Sequence, residues 1–127
     1  MLGSRDVVAF VATRDPDRAR AFYEGALGLR LVADEPFALV LDANGITLRV
    51  QKVPELAPAR HTALGWLVPD VVAAVRRLSE RGVVFERYPG LAQDDLGICA
   101  FAGGARVAWF RDPDGNVLSL AEGGARA

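Results

Sequence analysis

The chain has 127 residues, 15 of them basic and 16 acidic, with one histidine, one cysteine and 51% hydrophobic residues. That length suits a single folded domain, the formal charge of −1 supplies no bulk attraction for nucleic acid or anionic lipid, and the lone Cys99 excludes an intrachain disulfide and a multi-cysteine metal site. Apolar residues come in short runs broken by Arg, Asp and Gly, never the ~20 in a row that a membrane span requires; residues 1–6 lack the basic region and apolar stretch of a secretory signal, so the sequence reads as a soluble cytoplasmic protein.

An apolar stretch at residues 7–13 leads to Asp15-Pro16, a helix start with Asp as N-cap and Pro at the first helical position. The helix runs to about Leu27. Gly28 then stops it, because a residue without Cβ adopts positive φ at little cost. Three β-like segments follow at residues 29–33, 37–41 and 46–50, the last two joined by the hairpin signal Asn44-Gly45. Residues 54–60 contain Pro54 and Pro58, which cannot donate ladder hydrogen bonds, and read as a linker.

The same order of signals then recurs. Residues 63–68 lead to Asp70, a helix marked by Val71, Val75 and Leu78, and Gly82. Strand-like segments follow at 83–88, 106–111 and 117–121, with a short extra one at 98–101, and Asp112-Pro113-Asp114-Gly115 takes the place of Asp42-Ala43-Asn44-Gly45. Such repetition fixes architecture before any single element is trusted. It predicts an α+β domain of two tandem βαβββ modules, residues 5–53 and 61–122 joined by the 54–60 linker, whose curved mixed sheets surround a central cleft.

Asp15 followed by Ala21-Phe22-Tyr23-Glu24 and Leu27-Gly28-Leu29, together with Trp109-Phe110-Arg111-Asp112-Pro113-Asp114-Gly115-Asn116, resembles the first helix and closing hairpin of the vicinal-oxygen-chelate superfamily. This is the family of glyoxalases, bleomycin-resistance proteins and extradiol dioxygenases. In its metal-using members, His, Gln or Glu on the opening and closing strands of each module ligate one divalent ion and leave positions open for substrate oxygens. Counted from the aspartate opening each helix and the glycine of each hairpin, those positions are Val8, Ala63, Arg49 and Ser119. None is a His, Gln or Glu, and Arg49 adds a permanent cation. The comparison therefore implies a member without the usual metal and predicts no cofactor. A shift of two places brings in His61 and Gln51, the remaining route to a divalent metal through His61. Superfamily members often dimerise, which implies a homodimer.

Strand alternation turns Ile46, Leu48 and Val50 to the core and Arg49 and Gln51 to the cleft. Phe10 shares the parity of Val8, His61 that of Ala63, and Tyr88 lines one end; Trp109 lies on a strand apolar on both faces, so the pattern leaves its side open. The candidate ligand-binding residues are thus Val8, Phe10, Arg49, Gln51, His61, Ala63, Tyr88, Trp109 and Ser119. Each has a plainer reading beside the functional one. His61, as an acid/base or hydrogen-bonding group, competes with a part-exposed linker residue, and Arg49, as a bidentate clamp for carboxylate or phosphate, with a salt-bridged arginine. Trp66, in phase with Leu64 and Val68, reads as core, Cys99 as a small buried hydrophobe, and the Asp112 to Gly115 cluster as a structural turn. The leading functional reading is a metal-free protein that binds or sequesters a small organic ligand. The alternatives are a metal-dependent glyoxalase-type lyase or dioxygenase, and a metal-free enzyme using His61 or Tyr88 with Arg49.

Overall fold

A computed structural model describes residues 1–127. The chain folds as two compact units, Met1–Pro58 and Ala59–Ala127, whose boundary falls inside the expected linker. In the first unit β1 (Val8–Thr13) is followed by α1 (Pro16–Arg20), a wider helical turn (Ala21–Ala26), β2 (Arg30–Asp34), β3 (Ala38–Ala43) and β4 (Ile46–Lys52). The strands form one sheet in the order β1-β4-β3-β2, with β1 parallel to β4 and the other pairs antiparallel. The second unit repeats this with β5 (Thr62–Leu67), α2 (Val71–Glu80), β6 (Cys99–Ala100), β7 (Arg106–Arg111) and β8 (Val117–Glu122), ordered β5-β8-β7-β6. Two helical elements beside two mixed four-stranded sheets make an α+β fold. No helix is long and apolar enough to cross a membrane.

Both helices start as the sequence predicts. The Asp15 carboxylate accepts from the Arg18 N–H at 3.2 Å, and that of Asp70 from the Ala73 N–H at 3.1 Å, each satisfying an amide that has no intrahelical partner. Glu122 at the end of β8 satisfies another, accepting from the Val71 N–H at 2.9 Å. Both helices also stop at glycines of positive φ, Gly28 at 75° and Gly82 at 89°. The first helix departs from expectation in its second half: Leu27 N–H reaches the Phe22 carbonyl, five residues back, at 2.9 Å. This is the bonding of a π-helical turn.

Two expected parallels between the modules are only approximate. Residues 44 and 45 make a two-residue hairpin with φ of 51° and 89°, the combination of a type I′ turn, closed by Asp42 Oδ1 accepting from Gly45 N–H at 3.0 Å. The second hairpin pairs Arg111 with Val117 and so encloses a longer loop, in which Asp112 Oδ1 accepts from the N–H groups of Asp114 and Asn116 at 3.0 and 2.9 Å. The segment 83–88, expected as a strand, makes only an isolated bridge between Phe85 and Phe110. Its ladder is interrupted by a side chain. Gln93 accepts from Tyr88 N–H at 2.7 Å and donates to the carbonyls of Glu86 and Gly97 at 2.9 and 2.8 Å, taking backbone groups that a neighbouring strand would otherwise bond.

The core of the first unit holds Val11, Leu39, Leu41, Leu48 and Val50 with Ala19 and Tyr23 of the helix, all buried. That of the second holds Val71, Val75, Ala108, Phe110, Leu118 and Leu120, flanked by Val83, Ile98 and Cys99. Ile46 was expected among them but is 48% exposed. It is the first residue of β4, next to the Asn44-Gly45 turn, where no further strand covers it.

Candidate functional site

In the first unit, alternation sorts the candidates as expected. The cross-strand rows Val8–Thr47, Phe10–Arg49–Val40 and Ala12–Gln51–Ala38 lie on the sheet face opposite Val11, Leu48 and Val50. Val8 and Phe10 remain exposed there, Phe10 by 52%. Arg49 is engaged, its Nη2 3.0 Å from Glu35 Oε1. An anionic ligand at Arg49 would therefore have to displace a carboxylate already in place.

In the second unit the row Gly65–Ser119–Trp109 lies on the face opposite Leu118, Leu120 and Phe110. This fixes the side of Trp109, which the sequence left open. Gly65 matters here: a Cβ on it would come within 2.5 Å of Ser119 Oγ, so the missing side chain lets that hydroxyl lean across β5. Trp66 turns the other way and stacks on Phe110, ring centroids 6.4 Å apart, and Cys99 is buried, both as expected.

A bulge alters the expected phase at the start of β5. Thr62 pairs with Val117 but Leu64 pairs with Leu118, leaving Ala63 as the extra residue. Val117 and Ser119 share a face because they are two apart, so Thr62 joins Gly65 on the face of Trp109, and the parity that linked His61 to Ala63 and Gly65 is broken. His61 nevertheless reaches the same place from the strand's leading end. A cavity of about 330 Å³ is lined by Arg60, His61, Thr62, Tyr88, Trp109 and Val117. Three sequence candidates, His61, Tyr88 and Trp109, meet in it. Arg60, Thr62 and Val117 were not anticipated; the only signal for the first two was their adjacency to His61, since the bulge leaves no mark on the sequence.

The wall of this cavity is aromatic. Tyr88 meets Trp109 edge-to-face with centroids 5.6 Å apart, and Phe101 packs on Trp109 in the same manner at 6.3 Å. The Tyr88 hydroxyl is sealed from solvent and has no hydrogen-bond partner. Burial and the Glu86 carboxylate push its pKa above the ordinary 10.0, with Arg111 opposing, so the phenol stays protonated at neutral pH. Glu86 is itself ion-paired with Arg111, and its N–H donates to the Trp109 carbonyl at 2.7 Å. A second cavity of about 300 Å³ lies by α2, lined by Ser79, Arg87 and Asp95 among others, and contains none of the sequence candidates.

The sequence profile of the Glyoxalase/Bleomycin resistance protein/Dioxygenase superfamily matches residues 6–120. The chain belongs to that superfamily. Solved superfamily structures agree in fold. A lactoylglutathione lyase from Agrobacterium tumefaciens is 20% identical over 94% of each chain with a TM-score of 0.73. The fosfomycin resistance protein FosX from Listeria monocytogenes is 15% identical over 95% of this chain and 94% of its own, also at 0.73. A superfamily member from Sphaerobacter thermophilus is 25% identical over 92% of this chain and 97% of its own, at 0.70. No curated protein sequence matches the chain.

Membership makes the strand positions of the superfamily's metal ligands a chemical question. Val8 and Ala63 have no donor atoms, Arg49 is a cation held by Glu35, and Ser119 offers a single neutral hydroxyl. These four do not fit a divalent ion, which takes imidazole nitrogens and carboxylate oxygens. No group of three or more His, Cys, Asp or Glu side chains is arranged so that it could hold a metal ion.

Proposed function

We propose that this superfamily member binds a small organic ligand without a metal, and that the cavity of Arg60, His61, Tyr88 and Trp109 is part of its site. The observation that carries this reading is the donor chemistry of Val8, Arg49, Ala63 and Ser119, where a metal-using relative would need three or four ligating side chains. The cavity supports it from the other direction: aromatic walls with a few polar groups are the usual make-up of a small-molecule pocket. Binding or sequestration asks only for such a surface, whereas lyase or dioxygenase chemistry of the metal-dependent kind asks for a Lewis acid.

Elemental mass spectrometry tests this on protein purified without a metal-affinity column and desalted after incubation with nickel, zinc, iron and manganese. We expect no stoichiometric retention. About one equivalent of any of these ions per chain overturns the proposal, and points to His61 and a lyase or dioxygenase instead.

A further inference from the structure

We propose that the cavity at the head of β5 takes a planar aromatic acid, with its carboxylate on the Arg60 guanidinium and its ring against Trp109. This rests on the binding function proposed above and adds the class of ligand.

Charge comes first. Six other cationic side chains are held in ion pairs, those of Arg20, Arg30, Arg49, Lys52, Arg106 and Arg111. Arg60 is exposed and, like several other exposed arginines, is in none of these pairs, but it is the one arginine or lysine lining this cavity. No Asp or Glu lines the cavity with it, and the carboxylate that acts on Tyr88, Glu86, is already neutralised by Arg111. A permanent cation with a planar fork of donors and no internal counter-ion is matched by a carboxylate, which accepts two of its N–H groups at once.

Hydrogen-bonding capacity points the same way. Arg60 can only donate, and it lines the cavity beside Thr62. Thr62 adds a hydroxyl. An oxygen-rich anion is what such a wall lacks. Shape then narrows the class: Trp109 and Tyr88 offer flat surfaces to which another ring can add edge-to-face or offset-stacked. The cavity's roughly 330 Å³ lies at the small end of ligand pockets, about 300–1,000 Å³, and so suits one or two fused rings.

Isothermal titration of the full chain with 2-naphthoate, 2-naphthamide and cyclohexanecarboxylate tests the charge and the plane separately. We expect 2-naphthoate to bind about tenfold or more tightly than either of the others, and Arg60→Gln to bring its affinity down to that of the amide while leaving the amide unchanged. Arg60 is exposed, so the variant is expected to fold, and an unchanged melting temperature confirms it. Equal affinities for acid and amide, or for naphthoate and cyclohexanecarboxylate, overturn the class while leaving organic-ligand binding intact. Unaltered naphthoate binding in Arg60→Gln overturns the site, and no binding of naphthoate at all overturns the inference outright. Failure of the underlying function is read independently, as retained metal.

Discussion

Replacing Gln93 by alanine removes the side chain that holds the Tyr88 segment in its irregular path. Three hydrogen bonds are lost at once, one accepted from Tyr88 N–H at 2.7 Å and two donated to the Glu86 and Gly97 carbonyls at 2.9 and 2.8 Å. Each is worth about 1 kcal/mol net. Their sum of about 3 kcal/mol falls to about 2 where water reaches the freed backbone groups, since the site is only part-buried. For a chain of this size that is roughly 8–12 °C in melting temperature, at about 4 °C per kcal/mol. Urea denaturation followed by far-UV circular dichroism gives the free energy, with the dependence on urea expected to stay as in the wild type. Gln93→Glu is the control for packing. It keeps the volume and the acceptor for Tyr88 N–H but sets an oxygen against two carbonyl oxygens, so it is expected to be at least as destabilising as alanine. A loss below about 0.5 kcal/mol in Gln93→Ala, within the range of an ordinary surface change, refutes the claim that this side chain replaces the missing strand ladder.

Tyr88→Phe removes a buried hydroxyl that has no partner, and is expected to stabilise the protein by on the order of 1 kcal/mol. Because the folded protein holds the Tyr88 proton more tightly than the unfolded chain, through burial first and Glu86 second, the fold's preference for the neutral over the ionised phenol is fully expressed below about pH 10, separately from the cost of the unpaired hydroxyl. It drains away as pH rises from there towards the folded pKa; denaturation midpoints measured across alkaline pH are expected to fall less steeply in Tyr88→Phe, and an unchanged slope argues against the raised pKa. Asp112→Ala strips acceptors from the Asp114 and Asn116 amides and from Asn116 Nδ2 and is expected to cost about 3 kcal/mol in urea denaturation, against about 1–2 for Asp112→Asn, which keeps one oxygen; equal losses would show that the turn depends on charge alone.

How much of this was legible in the sequence follows the range over which each feature is encoded. The caps Asp15 and Asp70 and the stops Gly28 and Gly82 act within three to five residues of themselves, so the chain displays them openly, and their repetition carried the two-module architecture and the superfamily. The core faces of the strands were legible for the same reason, since alternation is a local rule; it failed at Ile46, where a strand runs out beside its turn. The segment at 83–88 failed differently. Its residues alternate well enough for a strand, but whether a ladder forms depends on what else competes for the backbone, and Gln93 lies five residues beyond Tyr88 across a Pro-Gly turn.

The candidate site shows the same division. Trp109 could not be given a face from its own apolar strand; its pairing with Ser119, and that of Ser119 with Gly65, decides it. Arg60 looked like the end of a linker because nothing nearby in sequence explains why its charge should be left unpaired. Only the bulge at Ala63 reveals its place, by setting Thr62 opposite Val117 and so putting residues 60–62 at the rim of the aromatic wall. One irregular residue thus shifts the phase of a strand end and, with it, the set of side chains that can meet a ligand. Val8, Arg49 and Ser119 count from regular elements and so can be tested by inspection of the sequence, whereas Ala63 is itself the bulged residue. A pocket built beside a bulge and a side-chain-stapled loop cannot, which is why the lack of imidazole or carboxylate at Val8, Arg49 and Ser119 was readable while the residues proposed to hold the ligand were only half found.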